Sequence, residues 1–216
     1  MNEQELLWDR YFTEDYLGFE LTDLIEQVAK SMIYRPSLWQ EVVESLSDGK
    51  TAYYHKPTIG ASLSFEWDQK EIRFTRLDES GKLALSDFLR LLVLIDKIYG
   101  EFLPLGSVVQ IKKDKLPSLN LPEDTLIHVL ITGQRVCVDN RFYLDYTGCF
   151  WPNGLTDGQE PLVLSQDMIE SVLFRGFEPN SVETAYQLEL RRKLLSMDID
   201  SLFFSQYQVK EVRHED

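Results

Sequence analysis

Between residues 107 and 150 the chain follows a pattern that few folds can satisfy. Ser107-Val108-Val109-Gln110-Ile111 and Thr125-Leu126-Ile127-His128-Val129-Leu130-Ile131 are rich in β-branched residues and read as strands. Gly133-Gln134 reads as a turn into Val136-Cys137-Val138. Asp139-Asn140 reads as a tight hairpin turn into the stretch from Arg141 to Phe150. Strands joined by such short turns pair antiparallel, because a parallel pair needs a crossover of about a dozen residues. An antiparallel meander is expected here. Lys112 to Asp124 carries Pro117 and Pro122 and reads as a loop.

Helical periodicity lies on both sides of this meander. Leu21, Leu24, Ile25, Val28 and Met32 recur at helical spacing over residues 20–33. Arg35-Pro36 interrupts that pattern. Ser37 with Gln40 then offers a capping box for a second helix, which buries Leu38, Trp39, Val42, Val43 and Leu46 and stops at Ser47-Asp48-Gly49. The aromatic-rich first nineteen residues read as helical or irregular. Leu63, Phe65 and Trp67 alternate with polar neighbours, as do Ile72 and Phe74, and Asp68-Gln69-Lys70 joins them as a hairpin. Glu79-Ser80-Gly81-Lys82 reads as a loop. Ser86 and Asp87 open a strongly apolar helix to Ile98, ended by Gly100 and expected to be buried on most sides. Near the C-terminus, Ser165 caps a short helix with Ile169, Val172 and Leu173 inward. Asn180 and Glu183 open a last helix with Ala185, Leu188 and Leu195 inward. Beyond Asp200, Leu202, Phe203, Phe204 and Tyr207 are expected to dock in part, and the last six residues to fray. Helices and strands are grouped rather than alternating, so the expected class is α+β, an antiparallel sheet with helices packed on it. The expected organisation is an N-terminal α+β region over 1–101, a β-meander domain over 102–178 and a C-terminal helix and tail over 179–216.

Charge narrows the partners. The 216 residues hold 36 acidic and 22 basic side chains, a net charge of −14. Both ends are acidic, while residues 51–150 are nearly neutral. An acidic chain is a poor competitor for phosphate backbones, so nucleic acid is not an expected partner. Nor is a membrane, because no run of about eighteen apolar residues occurs. The acidic start Met-Asn-Glu-Gln-Glu reads as no signal peptide. The acidic ends are solvated helix faces or meet a basic partner. Cys137 and Cys149 fall on strands. With Cys137 opposite about residue 142, Cys149 lies roughly 20 Å further along. A disulfide needs Cα atoms within about 7 Å, so two free thiols and a cytoplasmic location are expected.

The search for chemistry finds little. There is no glycine-rich phosphate loop, nucleophile elbow or HExxH. His55, His128 and His214 are far apart, and no metal-ligand spacing stands out, so neither cofactor nor metal is expected. Asp139, Asp145 and Asp157 could meet at one sheet end, but turn and surface roles explain them more simply. Lys112, Lys113 and Lys115 read as a solvated sheet edge or as weak docking to an acidic partner. Phe142, Tyr143, Tyr146, Phe150 and Trp151 form the densest aromatic group. Alternation buries about half of it, and the rest is a candidate interface.

Three segments carry a resemblance. They are Leu103-Pro104-Leu105-Gly106-Ser107-Val108-Val109, then Asp145-Tyr146-Thr147-Gly148-Cys149-Phe150-Trp151-Pro152-Asn153-Gly154, then Asp167-Met168-Ile169-Glu170-Ser171-Val172-Leu173-Phe174-Arg175-Gly176-Phe177. In this order, residues 103–178 resemble a small domain family of unassigned chemistry encoded beside LXG toxins in type VII secretion loci of Gram-positive bacteria. In physical terms Pro104 stiffens the approach to a strand, Gly106 allows close backbone passage, Pro152-Asn153-Gly154 is a turn, and Gly176 ends the short helix or bends the chain. None carries reaction chemistry. The resemblance implies a non-catalytic, cytoplasmic, chaperone-like accessory that binds an LXG toxin, with Tyr146, Phe150 and Trp151 as candidate partner-binding residues. The alternative is an immunity protein that neutralises a cognate toxin. A small enzyme is a third reading, and it would need polar groups converging in a pocket.

Overall fold

The computed structural model describes residues 2–116, 122, 124–138, 141–177 and 181–204. The chain divides into two units, Met1–Gly100 and Glu101–Asp216.

In the first unit, α1 (Glu3–Tyr11) starts in a capping box between Asn2 and Glu5, and α2 (Glu14–Leu17) starts under a Thr13 cap. α3 (Asp23–Ile33) is capped by Thr22 and buries Ile25, Val28, Ala29 and Met32. α4 (Pro36–Ser47) buries the expected stripe from Leu38 to Leu46. Its start differs from the expectation. Arg35 is the cap residue and Pro36 takes the first helical position, where its missing N–H is no loss and its fixed φ suits the helix. Ser37 therefore lies inside the helix and caps nothing. β1 (Ala52–His55), β2 (Leu63–Trp67), β3 (Glu71–Arg76) and β4 (Glu79–Ala84) form an antiparallel sheet in chain order. β4 replaces the loop expected at 79–82. Glu-Ser-Gly-Lys lacks apolar alternation, and the strand exists because β3 supplies partners. The Thr75 and Ser80 hydroxyls lie 3.0 Å apart. Gly81 faces Phe74, whose ring would come within 2.7 Å of an added Cβ. α5 (Leu85–Tyr99) is buried from Phe88 to Ile98 except at Arg90, as its wide stripe predicts.

The second unit holds the meander. β5 (Val108–Ile111), β6 (Ile127–Cys137) and β7 (Phe142–Phe150) pair antiparallel in order. β8 (Leu162–Leu164) pairs with β7, β9 (Ile169–Phe174) pairs with β5, and α6 (Ser181–Ser196) leads to β10 (Asp200–Ser201), which runs parallel to the start of β7. The fold is α+β, with helical N-terminal and C-terminal elements as expected. Two local expectations fail. Gly133-Gln134 is not a turn: β6 runs through it, with Thr132 as the extra residue of a bulge between Ile131 and Gly133. The short helix after Ser165 is only a 3-10 turn, Gln166–Met168, followed by β9. Val172 and Leu173 are exposed there rather than inward, because β5 offers a backbone partner to an edge strand but no helix packs over it. In α6, Leu195 is buried, Leu188 half-buried and Ala185 exposed. Asp139, Asn140, Asn180, Tyr207, His214 and the fraying expected of the last six residues lie outside the described residues.

The sheet of this unit has a buried cluster on each face. Val109, Ile111, Ile127, Val129, Ile131 and Tyr146 pack on one side with Leu103 and Leu164. Tyr143 packs on the other with Phe102, Leu190, Leu194 and Ile199. Cys137 pairs with Tyr143 near one end of β6–β7 and is exposed; Cys149 pairs with Leu130 toward the other end and is buried. Both are free thiols. Reductant should therefore leave the melting temperature of the protein unchanged. A reductant-dependent fall that a Cys137→Ser, Cys149→Ser variant does not show would overturn this register.

Candidate protein-binding surface

A buried ionic network stiffens the middle of the second unit. Arg135 has φ +46°, three residues after the bulge at Thr132 in β6. Its Nη1 donates to Asp145 Oδ1 and to the Tyr143 hydroxyl, both at 2.9 Å. Ser201 Oγ donates to the same Asp145 oxygen at 3.1 Å, and the Gln166 N–H donates to Asp145 Oδ2 at 3.0 Å. The Arg135 guanidinium also lies 5.0 Å from the Phe102 ring centroid, with that of Arg191 at 4.2 Å. Asp145 was expected to serve a turn or the surface. It is instead the buried anion that ties β6, β10 and the 3-10 turn to β7, while Asp157 is exposed. These groups are spent on one another, as buried charges must be.

Beside this network lies an open groove of about 710 Å³. Thr132 to Cys137 of β6 form one wall, and Val182, Tyr186 and Leu190 of α6 form the other. Leu105 and Phe177 also line it. A close approach fixes this pair. The Gly176 N–H donates to Ser107 Oγ at 3.0 Å, and Ser107 Oγ donates to the Pro104 carbonyl at 2.7 Å. A Cβ at Gly176 would sit 2.2 Å from the Leu105 carbonyl oxygen. Gly176 is thus the glycine that close passage demands. Gly106, expected in that role, has open space around it and is needed for its φ of +84°. Leu105, Phe177, Val182 and Tyr186 are 50–77 % exposed. Four large apolar side chains around one concavity are the kind of patch that marks a protein interface. β9 adds an open strand edge with Val172, Leu173 and Phe174 exposed, interrupted by two register shifts that bend it.

The three expected binding aromatics part company. Tyr146 is 1 % exposed and belongs to the core, which corrects its placement on an exposed face. Its hydroxyl accepts from the Leu103 N–H at 3.2 Å and donates to the Glu101 carbonyl at 3.0 Å. Burial, more than any neighbour, pushes its pKa far above the usual tyrosine value. Phe150 is half-buried against the same core cluster. Trp151 alone is well exposed, with its ring 6.1 Å from that of the half-buried His128. The lysine cluster is not a free edge. Lys115 pairs with Asp167 at 3.2 Å, and Lys113 donates to the Pro122 carbonyl.

These features fall largely within one recognisable segment. Residues 102–184 match the model of DUF4176, a domain of unknown function. No curated protein and no solved structure matches the chain. The DUF4176 match contains all three segments singled out in residues 103–178 and ends in the first turn of α6. Leu105, Phe177 and Val182 of the groove belong to it, whereas Tyr186 and Leu190 lie beyond. Pro104 to Gly106 and Gly176-Phe177 were legible as motif residues, but their meeting across about seventy residues was not. Among the described residues no cluster of His, Cys, Asp and Glu is arranged to hold a metal ion, and no helix is long and apolar enough to cross a membrane.

Proposed function

We propose that this chain is a non-catalytic accessory protein that holds another protein, an LXG-type toxin encoded nearby, before its export by type VII secretion. The observation that carries the binding role is the groove, where Leu105, Phe177, Val182 and Tyr186 stay exposed around one concavity. The resemblance of residues 103–178 to a family encoded beside such toxins supports the identity of the partner. The buried polar groups beside the groove support a scaffold rather than a reaction centre, since Arg135 donates to Asp145 and Tyr143, and Asp145 also accepts from the Gln166 backbone. Anchors of this kind contribute about 2 kcal/mol or more where they are true hot spots.

Co-expression with the neighbouring toxin should yield a stable complex without added metal or nucleotide. Val182→Asp and Tyr186→Ala should each weaken that complex at least tenfold and leave the isolated protein folded, because both side chains are more than half exposed. Trp151→Ala tests the other face: a larger loss there than at Tyr186 would move the contact to the end of the sheet. With a net charge of −14, raising salt should slow association more than it speeds dissociation. Gene deletion should lower toxin export and leave the producer resistant. A producer killed by its own toxin with export intact would favour the immunity role, and the absence of any complex would end the binding proposal.

A further inference from the structure

The first unit carries a cationic cavity that the binding groove does not involve. It has a volume of about 280 Å³ and is lined by Gln27, Lys30, Ser31 and Tyr34 of the α3 segment, Arg35 at the start of α4, and Arg76 at the end of β3. Two arginines and one lysine therefore line one space, in large part with their aliphatic stems. Lys30 is paired with Glu26 one turn earlier. Neither arginine has a carboxylate partner among the described residues. Arg76 Nη1 donates to Gln27 Oε1 at 2.7 Å, while its Nε is buried without a hydrogen-bond partner. Arg35 Nη2 donates to the Ile59 carbonyl at 3.3 Å, and its Nη1 lies 3.5 Å from His55 Nε2.

The missing carboxylates are informative because the chain has so many. With 36 acidic residues against 22 basic ones, a half-buried arginine has ample acidic side chains to draw on. Arg135 and Arg175 use them, at 2.9 Å and 2.6 Å. Arg35 and Arg76 are instead held by neutral acceptors, which orient a guanidinium without cancelling its charge. Gly60 completes the support for Arg35. It has φ +113°, and a Cβ there would lie 2.2 Å from Arg35 Nη2, so the guanidinium rests against bare backbone. Oriented, uncompensated guanidiniums are preorganised for an oxyanion, which their planar fork grips through two parallel hydrogen bonds.

We propose that this cavity binds a phosphate dianion, either free or as the end group of a small ester. Charge and shape select the class: Lys30 is offset by Glu26 and, less strongly, by Asp9, which leaves the two guanidiniums, whose forks match the several oxygens of a phosphate better than a single carboxylate. Size selects the scale, because the volume of about 280 Å³ lies just below the range of pockets for drug-sized molecules. Ester and free phosphate share this chemistry, and the space left around the anion separates them.

The test is calorimetric titration of the full chain with inorganic phosphate, a sugar phosphate and acetate, at an ionic strength held constant with chloride. Saturable one-to-one binding of either phosphate, with acetate at least tenfold weaker, is the expected result. Tighter binding of the sugar phosphate assigns an ester, and tighter binding of inorganic phosphate assigns the free ion; both support the site. Arg35→Gln and Arg76→Gln should each weaken binding at least tenfold. Lys30→Gln is a safeguard, since Lys30 is half exposed and its loss should leave the fold intact while lowering affinity severalfold. Acetate binding as tightly as phosphate, no saturation by millimolar phosphate, or unchanged affinity in folded variants would overturn the proposal.

Discussion

Asp145→Ala should abolish the folded second unit, or leave it several kcal/mol less stable than the parent. The carboxylate is 6 % exposed and accepts from Arg135, Ser201 and the Gln166 backbone. Its removal strands a guanidinium that is 3 % exposed. Breaking a buried pair by removing one partner costs about 3–5 kcal/mol, because an uncompensated charge stays behind. A domain has only about 5–15 kcal/mol in total. Asp145→Asn should be milder, since it keeps the size and one acceptor but loses the charge. The informative partner is Arg135→Met combined with Asp145→Ala. Removing both charges should recover part of the loss, a coupling that a double-mutant cycle measures directly. Hydrogen exchange would locate the damage at β6 and β7. If Asp145→Ala costs less than about 1 kcal/mol in denaturant titration, the pair does not hold the sheet as argued.

Leu92→Asp should be as damaging in the first unit. Leu92 is fully buried in the middle of α5, between Leu91 at 1 % and Val93 at 4 % exposure. α5 packs on α1, α2, α3, β3 and β4, and Arg90 is its one exposed residue between Phe88 and Ile98, so the new carboxylate at 92 is buried. The loss combines the transfer energy of the leucine with the desolvation of an unpaired acid, several kcal/mol in all. Absence of the variant from the soluble fraction of an expression trial is the expected outcome. Normal yield with an unchanged melting temperature would show that the helix is not the core element described here.

What could be read from the residues follows from what is local. The stripes of α3 and α5 are set by spacing within one segment, and the strands at 63–67 and 71–76 by alternation. All four were legible. β4 and β9 were not, because Glu-Ser-Gly-Lys and the stretch from Ile169 to Phe174 become strands through partners in β3 and β5. Tyr146 and Trp151 show the same limit in the candidate surface. Alternation gives the parity of a side chain, but β7 has buried residues on both faces, Tyr143 on one and Tyr146 on the other, so neither parity means exposure there. Trp151 is exposed because it follows the end of β7. The groove joins Leu105 to Phe177, and the cationic cavity joins Arg35 to Arg76. No periodicity connects residues so far apart; only the folded topology does.

The bulge at Thr132 acts as a phase shifter in β6. Before it, odd-numbered residues from Ile127 to Ile131 share a face with Tyr146. After it, Gln134 pairs with Tyr146 and Val136 with Leu144, so the parity has reversed. That reversal carries Arg135 to the side of Tyr143 and Asp145, where its counter-charge is. An unbroken ladder would have turned the same arginine into the aliphatic layer of Val129 and Ile131. Excising one residue between Ile131 and Gly133 is therefore not a shortening of the strand but a transposition of its two faces, and the charge pair is what the transposition would separate.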